Sequence, residues 1–167
     1  MNIEDLRALV DYHYWARDRV LEAVAPLAPE QLTRDLGSSF RSVRDTLAHV
    51  YAAEWAWCRR WNGESPTTFL PADTFPDVAT LGEKWTELEG DVRHVLDRMA
   101  VQGLDTVISY RMLNGEPRSS VFWHMLQHVV NHASYHRGQV TTMLRQLGAT
   151  PPQGMDLITF YRTMRPS

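Results

Sequence analysis

Apolar residues recur at the spacing of an α-helix in four long segments of this chain. The segments run from about residue 3 to 25, from 43 to 62, from 81 to 100 and from 120 to 147. Within each segment an apolar residue returns every three or four positions, which places these residues along one side of a helix. An amphipathic helix buries its apolar side against a neighbour. The pattern therefore predicts four long helices that pack on one another.

Start and stop signals flank these segments. Asn2, Ser42 and Thr80 precede the first three segments as candidate N-caps. An acidic residue stands three positions after both Ser42 and Thr80, as in a capping box. Pro26 ends the first helix, and Gly148 ends the fourth. We also expect a short helix from about residue 156 to 162.

The connections between the helices complete the predicted fold. Residues 63–79 are rich in Pro, Thr and Asp and form a long crossover loop between the second and third helices. Residues 106–120 alternate like strands around Asn114-Gly115, which predicts a small hairpin with a type I′ turn. Pro117 confines the second strand to an edge. The sequence thus predicts an all-α fold of one domain over residues 1–167, a four-helix bundle with a small hairpin before the fourth helix.

The composition excludes several classes of protein. The chain has 167 residues, 44% of them hydrophobic and 22% charged, and a net charge of −3. It shows no basic face for nucleic acid and no apolar run long enough to span a membrane. The acidic N-terminus lacks a signal-peptide pattern, and the single cysteine, Cys58, permits no internal disulfide. We therefore expect a cytoplasmic protein with a buried Cys58 that binds neither nucleic acid nor membrane.

Four histidines, His124, His128, His132 and His136, recur at every fourth position of the last segment. We call these four residues the histidine ladder. With Val121 at zero on a helical wheel, they lie at about 300°, 340°, 20° and 60°, and the apolar side centres near about 90°. His132 and His136 therefore point inward, and His124 points away. The apolar side consists of Val121, Phe122, Met125, Leu126, Val129, Ala133, Val140, Met143, Leu144 and Leu147. Two inward imidazoles one turn apart are typical of a metal site.

A transition metal needs at least one more ligand, which must come from another helix. The histidines outside the ladder are His13, His49 and His94. His13 falls on the apolar side of the first helix, whereas His49 lies beside three alanines that let another helix approach closely. His94 stands among charged residues and is expected at the surface. Periodicity alone leaves His13 and His49 as rivals.

Three segments together resemble the DinB-like family. HVVNHASYHRGQV (128–140) is similar to its last helix, which carries an H-x-x-x-H pair followed by RGQ. DYHYWARDRVLEAV (11–24) and SVRDTLAHVYAAEWAW (42–57) resemble its first and second helices. The resemblance extends from about residue 5 to 147. The sequence departs from the family at His13 and Arg17, where asparagine is common.

The resemblance implies a fold, a ligand set and a chemistry. The fold is an antiparallel four-helix bundle, often a homodimer, and the metal ligands map to His49, His132 and His136. Some relatives use the metal to activate a low-molecular-weight thiol for S-transfer or isomerisation. The departure at His13 makes it either an additional ligand or a residue that lines the pocket.

Further polar residues are expected near this site. Glu54 lies on the apolar side of the second helix, so it either reaches solvent or pairs with Arg137, Arg17 or the N–H of a ligand histidine. Arg137 is expected in a structural ion pair, with binding of an anionic substrate as the alternative. Arg17 is expected as a partly solvated ion-pair partner. We place His13, Glu54, His128 and Arg137 around the pocket.

Three neutral imidazoles leave a divalent metal with its full charge, which suits activation of water or a thiol. Imidazole ligands are compatible with Zn or Ni, and also with Fe. Together with the family resemblance, this ligand set favours a metal-dependent transferase or isomerase that acts on a small molecule with a low-molecular-weight thiol. The alternatives are a metal-dependent hydrolase, a non-catalytic metal-stabilised dimer and a bundle that binds a lipid or protein partner without metal.

Overall fold

The computed structural model describes residues 1–164, and this part of the chain is mostly helical, with one small sheet. In chain order the elements are α1 (Ile3–Val24), α2 (Pro29–Thr33), α3 (Val43–Trp61), α4 (Val78–Gln102), β1 (Val107–Arg111), β2 (Pro117–Val121), α5 (Phe122–Gln146) and α6 (Leu157–Met164). A single 3₁₀ turn, Ala72–Thr74, interrupts the loop between α3 and α4.

The four long helices share one hydrophobic core. α1 and α3 each pack against both α4 and α5, and α6 packs on α1. The apolar sides predicted from the sequence supply this core, with Leu6, Val10, Val24, Leu47, Leu81, Leu88, Met125 and Leu144 among its buried members. The predicted helical content and the small hairpin are therefore confirmed. No helix within residues 1–164 is both long and apolar enough to cross a bilayer.

Most helix boundaries agree with their capping signals. Asn2 and Asp5 form a reciprocal capping box at the start of α1, and the Ser42 side chain accepts a hydrogen bond from the Asp45 amide at the start of α3. The predicted start of α4 is wrong. That helix begins two residues before Thr80, and Asp77 caps it by accepting the Thr80 amide hydrogen bond at 2.7 Å. A carboxylate at this position also interacts favourably with the helix dipole.

The hairpin lies where the sequence placed it, but its turn is different. β1 and β2 pair antiparallel from Val107↔Val121 to Arg111↔Pro117. The Gly115 amide donates to the Met112 carbonyl at 2.9 Å, so Leu113 and Asn114 are the central turn residues. A type I′ turn at Asn114-Gly115 needs positive φ at both residues, and only Gly115 has it, at 83°. The type I′ prediction is therefore wrong. Residue 120, predicted to start the last helix, belongs to β2, and α5 begins at Phe122.

Candidate metal centre

Three histidines converge between α3 and α5. Each of His49, His132 and His136 offers one ring nitrogen, and these three atoms lie within 4.8 Å of one another. His49 Nε2 is 3.0 Å from His132 Nε2, and the rings of His132 and His136 have centroids 4.5 Å apart. Two nitrogens that share a zinc ion at about 2.1 Å each lie no more than about 4 Å apart. Small side-chain adjustments therefore suffice for the three to share one ion.

The histidine ladder spirals into the protein as the helical wheel predicts. His124 and His128 are exposed, His132 is half-buried, and His136 is buried. The orientation follows from the drift of each four-residue step on the helix. Only the second half of the ladder thus reaches the interior, next to α3.

The structure distinguishes between His13 and His49, the two candidates for the third ligand. His49 joins the cluster on α5, whereas His13 is buried in a different group, 2.8 Å from Glu54. His94 is exposed, as expected from its charged neighbours. The ligand set that the family resemblance implied is therefore the set whose nitrogens converge.

Gln139 holds the ring of His136. Its Oε1 lies 2.7 Å from His136 Nδ1. An amide oxygen only accepts, so Nδ1 carries the proton and the Nε2 lone pair is free to bind a metal. Gln139 was not predicted as a site residue, although its position three after His136 places both on one side of α5.

Two phenylalanines enclose His49. The Phe40 ring stacks on it with centroids 3.8 Å apart, and the Phe69 ring meets it edge-on at 6.1 Å. Phe40 is held by a loop in which Arg41 has a φ of 43°, a conformation that costs energy for a residue with a side chain. Neither phenylalanine lies in a helical pattern, so periodicity gave no signal for them.

Burial keeps two of the three imidazoles neutral. It lowers the pKa of His49 to about 4, with a smaller contribution from His136. It also lowers the pKa of His132 to about 4, with further lowering by His136, His49 and His128. A neutral imidazole is the form that binds metal. These two rings therefore do not have to lose a proton before binding at neutral pH.

A second buried group surrounds Glu54, which is 1% exposed. Its carboxylate accepts hydrogen bonds from the Tyr14 hydroxyl at 2.7 Å and from Trp85 Nε1 at 2.8 Å, and it contacts His13 Nε2. Burial raises the pKa of Glu54, but His13 and the three hydrogen bonds outweigh burial and lower it below its usual value. The expected partners, Arg137, Arg17 and a ligand histidine, were wrong, as was exposure to solvent. His13, from α1, is the ionisable partner.

The predictions for Arg137 and Arg17, the two arginines near Glu54, were each wrong in one respect. Arg137 makes no ion pair with a carboxylate in the described part of the chain; it donates to Ser134 Oγ at 2.8 Å and lies 3.5 Å from His13 Nδ1. Arg17 does form the expected ion pairs, with Asp18 and Glu89, but it is buried rather than partly solvated. A small cavity of about 10 Å³ separates the two arginines.

An open groove of about 360 Å³ lies next to Gln139, the partner of His136, although none of the three clustered histidines lines it. Gln139 lines it together with Tyr135, Gly138 and the loop residues Leu36 to Ser38. Among residues 1–164, no charged side chain lines this groove. A small molecule therefore has room next to Gln139.

Comparison with known proteins gives two matches. The model of the DinB family matches residues 1–164 of the chain. Protein DinB of Bacillus subtilis (strain 168) is 27% identical over 158 residues, covering 91% of this chain and 92% of that protein. The range that matches the family model includes all three clustered histidines and every helix described above.

Proposed function

Because this chain belongs to the DinB family, we propose that it is a metal-dependent enzyme that holds one divalent transition metal with His49, His132 and His136. The observation that carries the proposal is the convergence of three imidazole nitrogens from two helices within 4.8 Å. Three protein ligands are typical of catalytic zinc sites, which leave a position open for a reactant.

The donor set fits a borderline metal. Imidazole nitrogens suit Zn and Ni best here, and Fe as well. No carboxylate belongs to the cluster of ligand atoms within residues 1–164. When bound, such a metal supplies a positive charge that lowers the pKa of a coordinated water or thiol.

The residues of the chain position the ligands and shape their surroundings. His49 is fixed by stacking on Phe40, and His136 by Gln139. Phe69 contacts the edge of the His49 ring. We expect the reactive end of the substrate to lie at the three clustered histidines, and the groove beside Gln139 offers room next to them.

We propose a thiol-dependent transfer or isomerisation as the reaction, with a small electrophile as substrate and a low-molecular-weight thiol as co-substrate. The family resemblance supports this choice, and so do the neutral ligands, which leave the metal charge available to stabilise a thiolate. The proposal also takes the four long helices as an antiparallel bundle and the active protein as a cytoplasmic homodimer.

The test combines metal content with activity. Protein loaded with Zn or with Ni is assayed for consumption of a small electrophile, chlorodinitrobenzene, with and without cysteine as the thiol. We expect about one metal ion per chain. In the presence of cysteine, we expect the loaded protein to consume chlorodinitrobenzene much faster than the metal-free protein does. His136→Ala should lose both, while His94→Ala, an exposed histidine outside the cluster, should retain both.

Other outcomes overturn parts of the proposal. Protein that stays metal-free after incubation with both metals contradicts the metal site. Hydrolysis of p-nitrophenyl acetate that needs the metal but no thiol would make the protein a hydrolase instead. Metal binding without either activity, together with a metal-dependent dimer, would favour a structural role.

A further inference from the structure

Arg60 is a buried cation without an anion. It lies near the end of α3, and only 4% of its surface is exposed. Of the three buried arginines in residues 1–164, Arg17 pairs with carboxylates and Arg137 donates to Ser134, but the side chain of Arg60 forms no hydrogen bond or ion pair. Its Nε is fully buried and has no partner. Leaving a buried charge unpaired is costly, so such a group calls for an explanation.

Aromatic rings hold the guanidinium in place. Arg60 Cζ lies 4.6 Å from the centre of the Trp57 ring and 5.3 Å from that of Tyr110. Cation–π contacts recover part of the cost of burial, but they leave the N–H groups unused. Burial lowers the pKa of Arg60, and no carboxylate raises it. The side chain is thus held in position, and none of its N–H groups donates a hydrogen bond to another of the described residues.

A continuous row of rings connects Arg60 with the metal centre. The Trp57 ring is 5.6 Å from that of His128, and His128 is 5.9 Å from His132. His128 is exposed and Trp57 is half-buried, so the row borders solvent. Along α3, Arg60 lies eleven positions after His49, which corresponds to about 16 Å of helix. A ligand that extends along this row has one end at the metal centre and the other at Arg60.

We propose that Arg60 is a binding subsite for a carboxylate at the far end of the substrate or thiol. This proposal rests on the proposed function for the position of the reactive end. A guanidinium binds a carboxylate through two parallel N–H···O hydrogen bonds. One arginine balances one negative charge, and the neighbouring rings of Trp57 and Tyr110 are apolar, which favours a singly charged carboxylate over a phosphate dianion.

The test separates recognition of the carboxylate from binding at the metal. Octanoate and octanol, which differ in charge, are titrated into the metal-free protein, and binding is followed by tryptophan fluorescence. We expect octanoate to bind more tightly than octanol, and Arg60→Met to weaken octanoate binding about tenfold. Arg59→Met is the matched control, because Arg59 is the neighbouring arginine but is exposed. Arg59→Met should change the affinity for octanoate and the affinity for octanol by no more than about twofold.

The same variants are then tested with 12-mercaptododecanoate, whose extended chain is long enough to span the two sites, on the zinc-loaded protein. We expect the thiol group to increase the affinity, and His136→Ala to remove that increase. We also expect the carboxylate to increase the affinity, and Arg60→Met to remove that second increase. Equal octanoate binding by wild type and Arg60→Met would overturn the carboxylate subsite. Mercaptododecanoate that binds zinc-loaded protein no better than dodecanoate would instead overturn thiol binding at the metal.

Discussion

At the scale of single residues, the geometry of the centre depends on which ring nitrogen of each histidine is free. His136 illustrates this point, since its Nδ1 is occupied by Gln139 and its Nε2 is left for a metal. Hydrogen bonds of this kind fix the tautomer and the ring orientation of metal ligands, and removing them usually weakens metal binding.

Replacing Gln139 with alanine should therefore weaken zinc binding by about 10- to 100-fold. Competition with a chelator of known affinity measures the change. Gln146→Ala, an exposed glutamine on the same helix, is the matched control and should leave the affinity unchanged. Gln139→Glu, which retains an acceptor for the Nδ1 proton, should restore most of the binding. Wild-type zinc affinity in Gln139→Ala would show that Gln139 does not position His136.

The sequence predicts some of these residues much better than others. The inward aim of His132 and His136 follows from the helical period and the apolar residues around them. The choice of His49 over His13 came from the family resemblance, because the rotation of α1 and α3 about their own axes is set by packing across the whole core. The same rotation decides that His13 meets Glu54, so periodicity alone could not find that pair.

At the scale of elements, Glu54 joins three helices. It lies on α3 and bonds to His13 and Tyr14 of α1 and to Trp85 of α4. All of these partners are buried. The carboxylate thus fixes how α1 and α4 sit against the helix that carries His49.

Glu54→Ala should lower the free energy of unfolding by about 3–5 kcal/mol, because it leaves three buried polar groups without their acceptor. Denaturant titration of the metal-free protein measures the loss. Glu22→Ala, at an exposed site on α1, should change it by less than about 0.5 kcal/mol. If Glu54→Ala and Glu22→Ala are equally stable, then Glu54 does not hold the helices together.

Elements without a repeating pattern were the hardest to predict. The long helices follow from their apolar spacing, and α6 was found within two residues at either end. The five-residue α2 lies in a segment too short for periodicity to reveal. The hairpin turn was mistaken because Asn-Gly suits a two-residue loop, whereas five residues, 112–116, separate β1 from β2.

At the scale of the whole molecule, the neutral histidines make stability depend on pH. His49 and His132 have pKa values of about 4 in the folded protein, below the usual 6.5. Between these values the unfolded chain binds protons that the folded protein excludes, so the folded state loses stability as the pH falls from about 6.5 towards 4. Above pH 6.5 both rings are neutral in the folded and the unfolded state, so they do not lower the free energy of unfolding.

The melting temperature of the metal-free protein should therefore fall as the pH is lowered from about 7 to 4. Each ring is half-buried, so after allowance for solvent we expect about 1 kcal/mol per ring, or about 2–4 °C. Replacing both with glutamine should flatten this part of the profile, whereas His94→Gln, at an exposed site, should not. A double variant with the same pH dependence as the wild type would contradict the effect.

The most direct measurement is X-ray absorption spectroscopy at the zinc edge of loaded protein, compared with His49→Ala, His132→Ala and His136→Ala. The account predicts one ion per chain, three imidazole nitrogens at about 2.0–2.1 Å and an additional light-atom ligand, with one imidazole fewer, or no bound zinc, in each variant. A wild-type spectrum with fewer than three imidazoles, or an unchanged spectrum in any of the three variants, would contradict it.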